Sequence, residues 1–264
     1  MSAAIYFVAD LHLDPETRPE TLDLFRRFLR GPARAAAALY ILGDLFEVWV
    51  GDDDDSPGHA TILAELRGLV DAGVPVSFLP GNRDFLASSG FAERSGCQLL
   101  PDPTPIRLHG VPALLAHGDA LCTDDQEHMA FRARVARADV RAAFLGKPLV
   151  ERQAEAQAMR QQSEANKQVK PAEIMDVNPC AVDAVLADHG ARLLIHGHTH
   201  RPGLHGDPVE RAVLGAWGRS AVILRCADAP VLELLRLQPD LALEPVASAP
   251  LPGCGGRLAA TASG

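Results

Sequence analysis

The stretch Ile5-Tyr6-Phe7-Val8-Ala9-Asp10-Leu11-His12 sets the reading of the whole chain. Its first five residues are apolar and rich in β-branched and aromatic types, which favour a strand. The run is too short for an ordinary helix and stops at once on Asp10 and His12. Two positions apart on an extended segment, these two side chains face the same way. Four further runs repeat the design. Residues 39–42 stop at Gly43-Asp44, 76–79 at Pro80-Gly81-Asn82, 113–116 at His117, and 193–195 at His196-Gly197-His198-Thr199-His200. Helix-like stretches at 19–30 and 59–72 separate the first three runs, and Gly73 ends the second. Strand, helix, strand alternation predicts a largely parallel sheet of the α/β class. In such sheets ligands bind beyond the carboxyl ends of the strands, where each run places its Asp, Asn or His.

The 264 residues suit either one α/β catalytic domain with an insertion or two domains. With 47% hydrophobic and 22% charged residues the chain can bury a core and is not disordered. Lys plus Arg is 25 against 34 for Asp plus Glu, a net charge of −9. That excludes generic nucleic-acid binding, which rests on a basic face neutralising phosphates. The five Cys are scattered without a CxxC pair. They read as reduced intracellular thiols, against a disulfide framework or a thiolate zinc site. No apolar run approaches the roughly 18 residues that span a bilayer. The amino-terminal run lacks the basic start and length of a secretory signal, so a cytoplasmic protein is expected.

Residues 126–170 differ from the rest. They are rich in Ala, Arg, Gln and Glu, all helix formers. Nine basic and five acidic residues give this segment +4 and leave −13 for the remainder. An apolar stretch around Phe144, Leu145, Leu149 and Val150 is broken by Gly146 and Pro148. Two or more helices joined by an apolar turn are expected here, inserted into the α/β domain. Beyond residue 211, the runs 212–214, 221–224 and 231–237 read as strands of a closing hairpin. The Pro, Gly and Ala content of 247–264 predicts a disordered tail. The expected division is a core of 1–121 and 171–246, a helical lid of 122–170 and the tail.

Seven side chains with oxygen or nitrogen donors stand at these strand ends: Asp10, His12, Asp44, Asn82, His117, His198 and His200. Asp, Asn and Gly are common at strand ends for turn chemistry alone. One ion needs fewer ligands than seven, whereas two ions sharing a carboxylate would use them all. The donors are mixed carboxylate, amide and imidazole without thiolate, which suits a hard or borderline divalent ion. His196 reads as a packed or supporting histidine. Cys122 has no base partner in its surroundings, so a catalytic thiol is not expected.

The order Asp-x-His, Gly-Asp, Gly-Asn, His, Gly-His-x-His resembles the binuclear metallophosphoesterase superfamily over roughly residues 5–226. The resemblance implies an α/β/β/α sandwich with an inserted helical lid. One departure is Arg83, which stands where the superfamily commonly has His after Asn. Together with Trp49-Val-Gly-Asp-Asp-Asp, Leu121-Cys-Thr-Asp-Asp, Ile174-Met-Asp-Val-Asn and His198-Thr-His-Arg-Pro, the pattern is similar to the UDP-2,3-diacylglucosamine pyrophosphatase family of lipid A biosynthesis. This likeness reaches nearly the whole chain short of the tail.

Several expectations follow from the resemblance alone. Asp10, His12 and His200 hold one ion and Asn82, His117 and His198 a second, with Asp44 bridging. The ions are two Mn²⁺ per chain, with other divalent ions possible. Asp44, Asn82, Arg83 and His198 form the catalytic set. Water attacks the α-phosphorus and gives UMP and 2,3-diacylglucosamine 1-phosphate. Asn82, Arg83, Asp125, Ser163, Lys167, Lys170 and His198 contact substrate. Asn166 rivals Lys167, because two alignments of the segment differ in register. Asp125 reads equally as a helix cap, and Arg83 as a surface ion pair. The enzyme would sit peripherally on the cytoplasmic face of the inner membrane, with the apolar turn and basic residues as its contact and no obligate protein partner. Two other readings share the ligands: a phosphoesterase for another nucleotide or phosphodiester, and a noncatalytic scaffold. A scaffold would be expected to lose ligands, and none of the seven is missing.

Overall fold

Alternation along the first strand explains the architecture. In β1 (Ile5–Val8), Tyr6 and Val8 belong to one hydrophobic core, while Phe7 and, just past the strand, Ala9 belong to another. A strand apolar on both faces needs a cover on each. Helices supply the first: Leu24, Phe25 and Phe28 of α1 (Pro19–Arg30) and Ile62, Leu63 and Leu66 of α2 (Pro57–Asp71) pack on Tyr6 and Val8. A second sheet supplies the other: Ala113 and Leu115 of β6 (Val111–Ala116) and Leu193 and Ile195 of β7 (Leu193–His196) pack on Phe7 and Ala9. The far face of that sheet, Leu114, Ala116 and Leu194, is closed by Val182 of α7 (Pro179–Asp188). The layers are therefore α/β/β/α. This computed structural model describes residues 4–171, 173–227 and 229–254; the side chains of Glu164, Lys167, Gln168 and Val169 also lie outside the described part.

The first sheet has seven strands in the order β12 (Leu243–Pro250), β11 (Val231–Leu237), β10 (Ala221–Cys226), β1, β2 (Ala38–Leu42), β3 (Val76–Leu79), β4 (Gln98–Leu99). From β1 to β4 neighbours are parallel; from β1 outward through β10 to β12 they are antiparallel. The second has five: β5 (Thr104–Leu108), β6, β7, β9 (Arg211–Val213), β8 (Gly203–His205). Here β6, β7 and β9 are parallel and the two edges antiparallel. The run at 212–214 thus joins the second sheet beside β7 instead of the closing hairpin of β10 and β11, which β12 extends. The expected tail begins too early at 247, because Ala247–Pro250 completes β12 and Leu251 is buried. Small alternating residues on an edge strand look like loop by composition. Residues 255–264 lie outside the described part.

α1 shows how sequence makes these layers. Pro19 opens the helix where its missing N–H costs nothing. Thr21, Leu24, Phe25, Phe28 and Leu29 follow at helical spacing and are all buried. Trp217 stands edge-on to Phe25 and Phe28, with ring centroids 5.6 and 5.7 Å away. Fully burying such a side chain contributes about 1.5–3 kcal/mol.

α3 (Ser89–Ser95) follows β3, and the segment after β6 holds α4 (Gln126–Ala136), α5 (Ala138–Leu145) and α6 (Leu149–Val169). Neither α4 nor α5 buries a residue. The apolar turn divides: Phe144 packs on the first core, while Leu145 and Val150 are 42% and 75% exposed. Among the described residues no helix is long and apolar enough to cross a membrane.

Candidate metal centre

All seven strand-end donors lie beyond the carboxyl ends of parallel strands. Asp10 and His12 follow β1, Asp44 follows β2, and Asn82 follows β3, all in the first sheet. His117 follows β6, and His198 and His200 follow β7, in the second. The strand-end loops are stitched by backbone: Asp10 N–H donates to Gly43 O, His12 N–H to Asp44 O and Gly197 N–H to His117 O, at 2.9–3.1 Å. Asp10 reaches across the two sheets and accepts from the His198 N–H at 2.9 Å. Only glycine fits at 197, where a Cβ would fall 2.5 Å from both Ala9 Cβ and Asp10 Oδ2.

Two groups of ligand atoms result. Asp10, His12 and His200 converge within 4.8 Å of one another, and so do Asp44, His117 and His198. In the first, His12 Nε2 lies 3.3 Å from His200 Nε2, which lies 3.5 Å from Asp10 Oδ1. Two imidazole nitrogens this close share at most one proton, and a cation between their lone pairs suits them as well. In the second, His117 Nδ1–H donates to Leu42 O at 2.9 Å, which turns Nε2 inward. There it faces Asn82 Oδ1 at 3.0 Å and Asp44 Oδ1 at 3.6 Å. Asp44 Oδ2 lies 3.8 Å from His12 Nε2. The two oxygens of this one carboxylate therefore address the two groups.

The electrostatics suit cations. Asp44 is 2% exposed, and burial pushes it up to about 6 despite His117. Burial opposes charge on His117, yet Asp44, Asp10 and Asp119 raise it to about 10. His12 is pushed well below its ordinary value by burial. Buried carboxylates among imidazoles crowded at one point fit divalent ions. Five of the seven donors, Asp10, His12, Asp44, His198 and His200, have φ between 49 and 65°. That left-handed region is unfavourable for such residues by about 1–3 kcal/mol and clusters at functional sites.

The residues assigned by sequence fall as follows. Arg83 N–H donates to Asp44 Oδ1 at 2.8 Å, and its guanidinium charge bears on both His12 and Asp44. Asp125 caps α4 by accepting from His128 N–H at 3.0 Å and also pairs with Lys170 Nζ at 2.8 Å. Lys170 reaches Glu127 at 3.0 Å, and Asn166 donates to Glu127 at 2.8 Å. Ser163 is half-buried on α6, and the Lys167 side chain lies outside the described residues. His196 belongs to neither group; burial holds it down at about 4 and its Nδ1–H donates to Gly197 O.

Asp84 was left without a role by the sequence. It is fully buried, and its two oxygens accept N–H bonds from Gly81, Asp44, Leu45 and Phe46 at 2.7–3.3 Å. It clamps the loops after β2 and β3 to each other. Burial and the Asp44 charge push it up to about 7. Glu47 was also missed: its Oε2 lies 3.7 Å from His12 Nδ1, and its Oε1 lies 2.6 Å from Arg160 of α6. Beside Asn82 a cleft of about 470 Å³ opens between Phe85 and Leu99 on one wall and Phe131 and Val135 on the other, with Arg132 and Arg141 also lining it.

The sequence profile of the calcineurin-like phosphoesterases matches residues 3–202. The chain belongs to that family. Three relatives, each named UDP-2,3-diacylglucosamine hydrolase, extend the likeness past the metal centre. The Enterobacter sp. protein is 50% identical over 219 residues, 81% of this chain and 91% of its own length. The Stenotrophomonas maltophilia protein is 49% identical over 231 residues, 83% and 93% of the two chains. The Xanthomonas campestris pv. campestris protein is 46% identical over 244 residues, 88% and 98%. A calcineurin-like phosphoesterase with these donors is a metal-dependent hydrolase with a divalent binuclear site.

Proposed function

We propose that the protein hydrolyses the pyrophosphate of UDP-2,3-diacylglucosamine in lipid A biosynthesis. Water's oxygen bonds to the α-phosphorus as the bond from that phosphorus to the bridging oxygen breaks. UMP keeps the new oxygen, and 2,3-diacylglucosamine 1-phosphate leaves with the bridging one. The observation that carries this reading is a two-group metal floor roofed by a basic helical segment beside an apolar-walled cleft. The names of the half-identical relatives support it.

Asp10, His12 and His200 would hold one Mn²⁺, and Asn82, His117 and His198 the other, with Asp44 reaching both. When bound, such ions supply Lewis acidity toward phosphoryl oxygens and acidify water. The remaining work falls to side chains. Asp84 and the Leu42 carbonyl fix Asp44 and His117. Arg83 steadies negative charge gathering on the phosphoryl group. Asp125, Ser163, Asn166 or Lys167, Lys170, Asn82 and His198 line the substrate's path, with 122–170 acting as a lid over acyl chains. The outward Leu145 and Val150, within a segment of net charge +4, support peripheral attachment to an anionic membrane face, at about 1 kcal/mol per basic residue near the surface.

Incubation with UDP-2,3-diacylglucosamine and Mn²⁺, with products identified by mass, tests the proposal. UMP and 2,3-diacylglucosamine 1-phosphate are expected. Inertness toward this lipid alongside hydrolysis of simple phosphodiesters would refute it.

A further inference from the structure

Of the four consecutive aspartates after Gly51, the first three have different partners. Asp52 accepts from the Ser88 and Gly90 N–H groups at the start of α3 and from Trp49 Nε1. Asp54 accepts from Ser56 N–H at 3.1 Å and pairs with His59 Nδ1 at 3.1 Å. Both fasten the loop to the core. Asp53 turns the other way, to Arg152 of α6, and takes that guanidinium on both carboxylate oxygens.

Arg152 is buried to 2% exposure, unusual for an arginine on a helix whose neighbours are mostly open. Every nitrogen of its fork is used. Nε donates to Lys147 O at 3.1 Å, Nη1 to Val50 O at 2.7 Å and Asp53 Oδ1 at 2.8 Å, and Nη2 to Asp53 Oδ2. The socket is shaped by Gly51. Its φ is +142°, and a Cβ there would lie 2.4 Å from Arg152 Nη1. A backbone that leaves out a side chain where a guanidinium enters is a built receptacle, unlike a chance surface ion pair.

Eight residues further along α6, about 12 Å at helical rise, Arg160 pairs with Glu47 beside His12. Both attachments land on the single loop that begins at Asp44. At the far end of the helix, Lys170 meets Asp125. The register of the helix over the metal centre is therefore set from its first turn.

We propose that Arg152 is a positioning residue that latches the lid. Through Asp53 and the Val50 carbonyl it seats α6 on the core and fixes where Arg160 and Lys170 stand above the metal groups. The inference rests on reading 122–170 as a lid for the lipid-linked substrate, and its test separates the two ideas. Arg152→Ala and Asp53→Ala are compared with wild type in the full-length, Mn²⁺-loaded protein. Asp53 has a 63% exposed side chain, so Asp53→Ala removes the latch without touching the core. Four readouts apply: trypsin cleavage within 126–170, kcat/KM for UDP-2,3-diacylglucosamine, hydrolysis of bis(p-nitrophenyl) phosphate, and bound Mn²⁺.

Both variants are expected to be cleaved faster and to lose on the order of 10²-fold in kcat/KM for the lipid, the scale of a misplaced contact. Bound Mn²⁺ and hydrolysis of the small diester should stay at wild-type levels. Asp53→Glu should recover most of the loss. Arg152→Lys should not, because an ammonium cannot fork to two carboxylate oxygens and a carbonyl. Wild-type protease resistance and lipid turnover in Asp53→Ala would overturn the latch, and so would loss of Mn²⁺ from that variant. A wild-type protein inert toward the lipid would sink the substrate assignment, while the trypsin arm would still decide the latch.

Discussion

The strand-end floor and the helical roof meet over one site but are built by opposite rules. In the floor, Asp10 and His117 have no exposed surface, and backbone N–H groups, carbonyls and the Asp84 clamp hold the donors. Five of these donors are kept in a left-handed backbone that costs each about 1–3 kcal/mol. In the roof, α4 and α5 bury nothing, and the connections to the core include a few ion pairs: Arg152 with Asp53, Arg160 with Glu47 and Arg132 with Asp119. A packed floor makes ligand geometry over-determined. A roof whose α4 and α5 bury nothing, with Arg152 as its buried anchor and partly exposed ion pairs elsewhere, is less tightly packed than the floor. On the proposed function, chemistry and recognition would fall to parts of different stiffness.

The sharpest way to break that contrast is at Asp44, whose two oxygens address both ligand groups. Asp44→Ala is expected to abolish turnover and empty both metal positions, whereas Asp10→Ala should strip one group and leave residual activity. Metal content by mass spectrometry beside turnover checks this. Two equivalents of Mn²⁺ in Asp44→Ala with near wild-type activity would end the bridging assignment. Next comes Arg83, on the rim between floor and roof. Arg83→Ala should lower kcat by on the order of 10²–10³, as for loss of one electrostatic donor, with metal content unchanged. A rise in KM alone would move Arg83 to the roof's business of uniform binding. The smallest effect belongs to the roof's outer surface. Leu145→Ser with Val150→Ser should weaken binding to anionic liposomes at low salt several-fold and leave metal content and soluble-diester hydrolysis intact. Unaltered liposome binding would show that these exposed side chains contact no membrane.

The floor was legible because its strands are short apolar runs that end abruptly on Asp, Asn or His. The same feature hid its assembly. A run such as 212–214 looks the same whether it pairs with β10 or with β7, since burial on both faces erases the alternation that would tell sheets apart. Asp84 was passed over because one Asp after Gly-Asn-Arg reads as turn chemistry; its four N–H partners come from two loops about forty positions apart. The left-handed donors could not be foreseen, because Asp and His enter that backbone more readily than most residues yet still adopt ordinary conformations far more often. Arg152 was one of nine basic residues in a segment read by net charge, and only its glycine-lined socket distinguishes it. The apolar turn was visible, but which of its members face outward was not: Phe144 turns in, Leu145 and Val150 out.

The bond from His198 N–H to Asp10 spans 188 positions of chain, and Trp217 N–H also donates to Asp10 O. Such closure is entropically among the latest contacts a folding chain can make. During synthesis the first-sheet donors through Asn82 emerge early, yet neither ligand group is whole until residue 200 has left the ribosome and β7 has docked. A chain truncated before Gly197 lacks His198 and His200, one donor of each group, so metal retention is expected to depend on this last strand-end loop. Stoichiometric metal uptake would report completion of the entire sandwich, and a nascent hydrolase is silent until its last donor arrives.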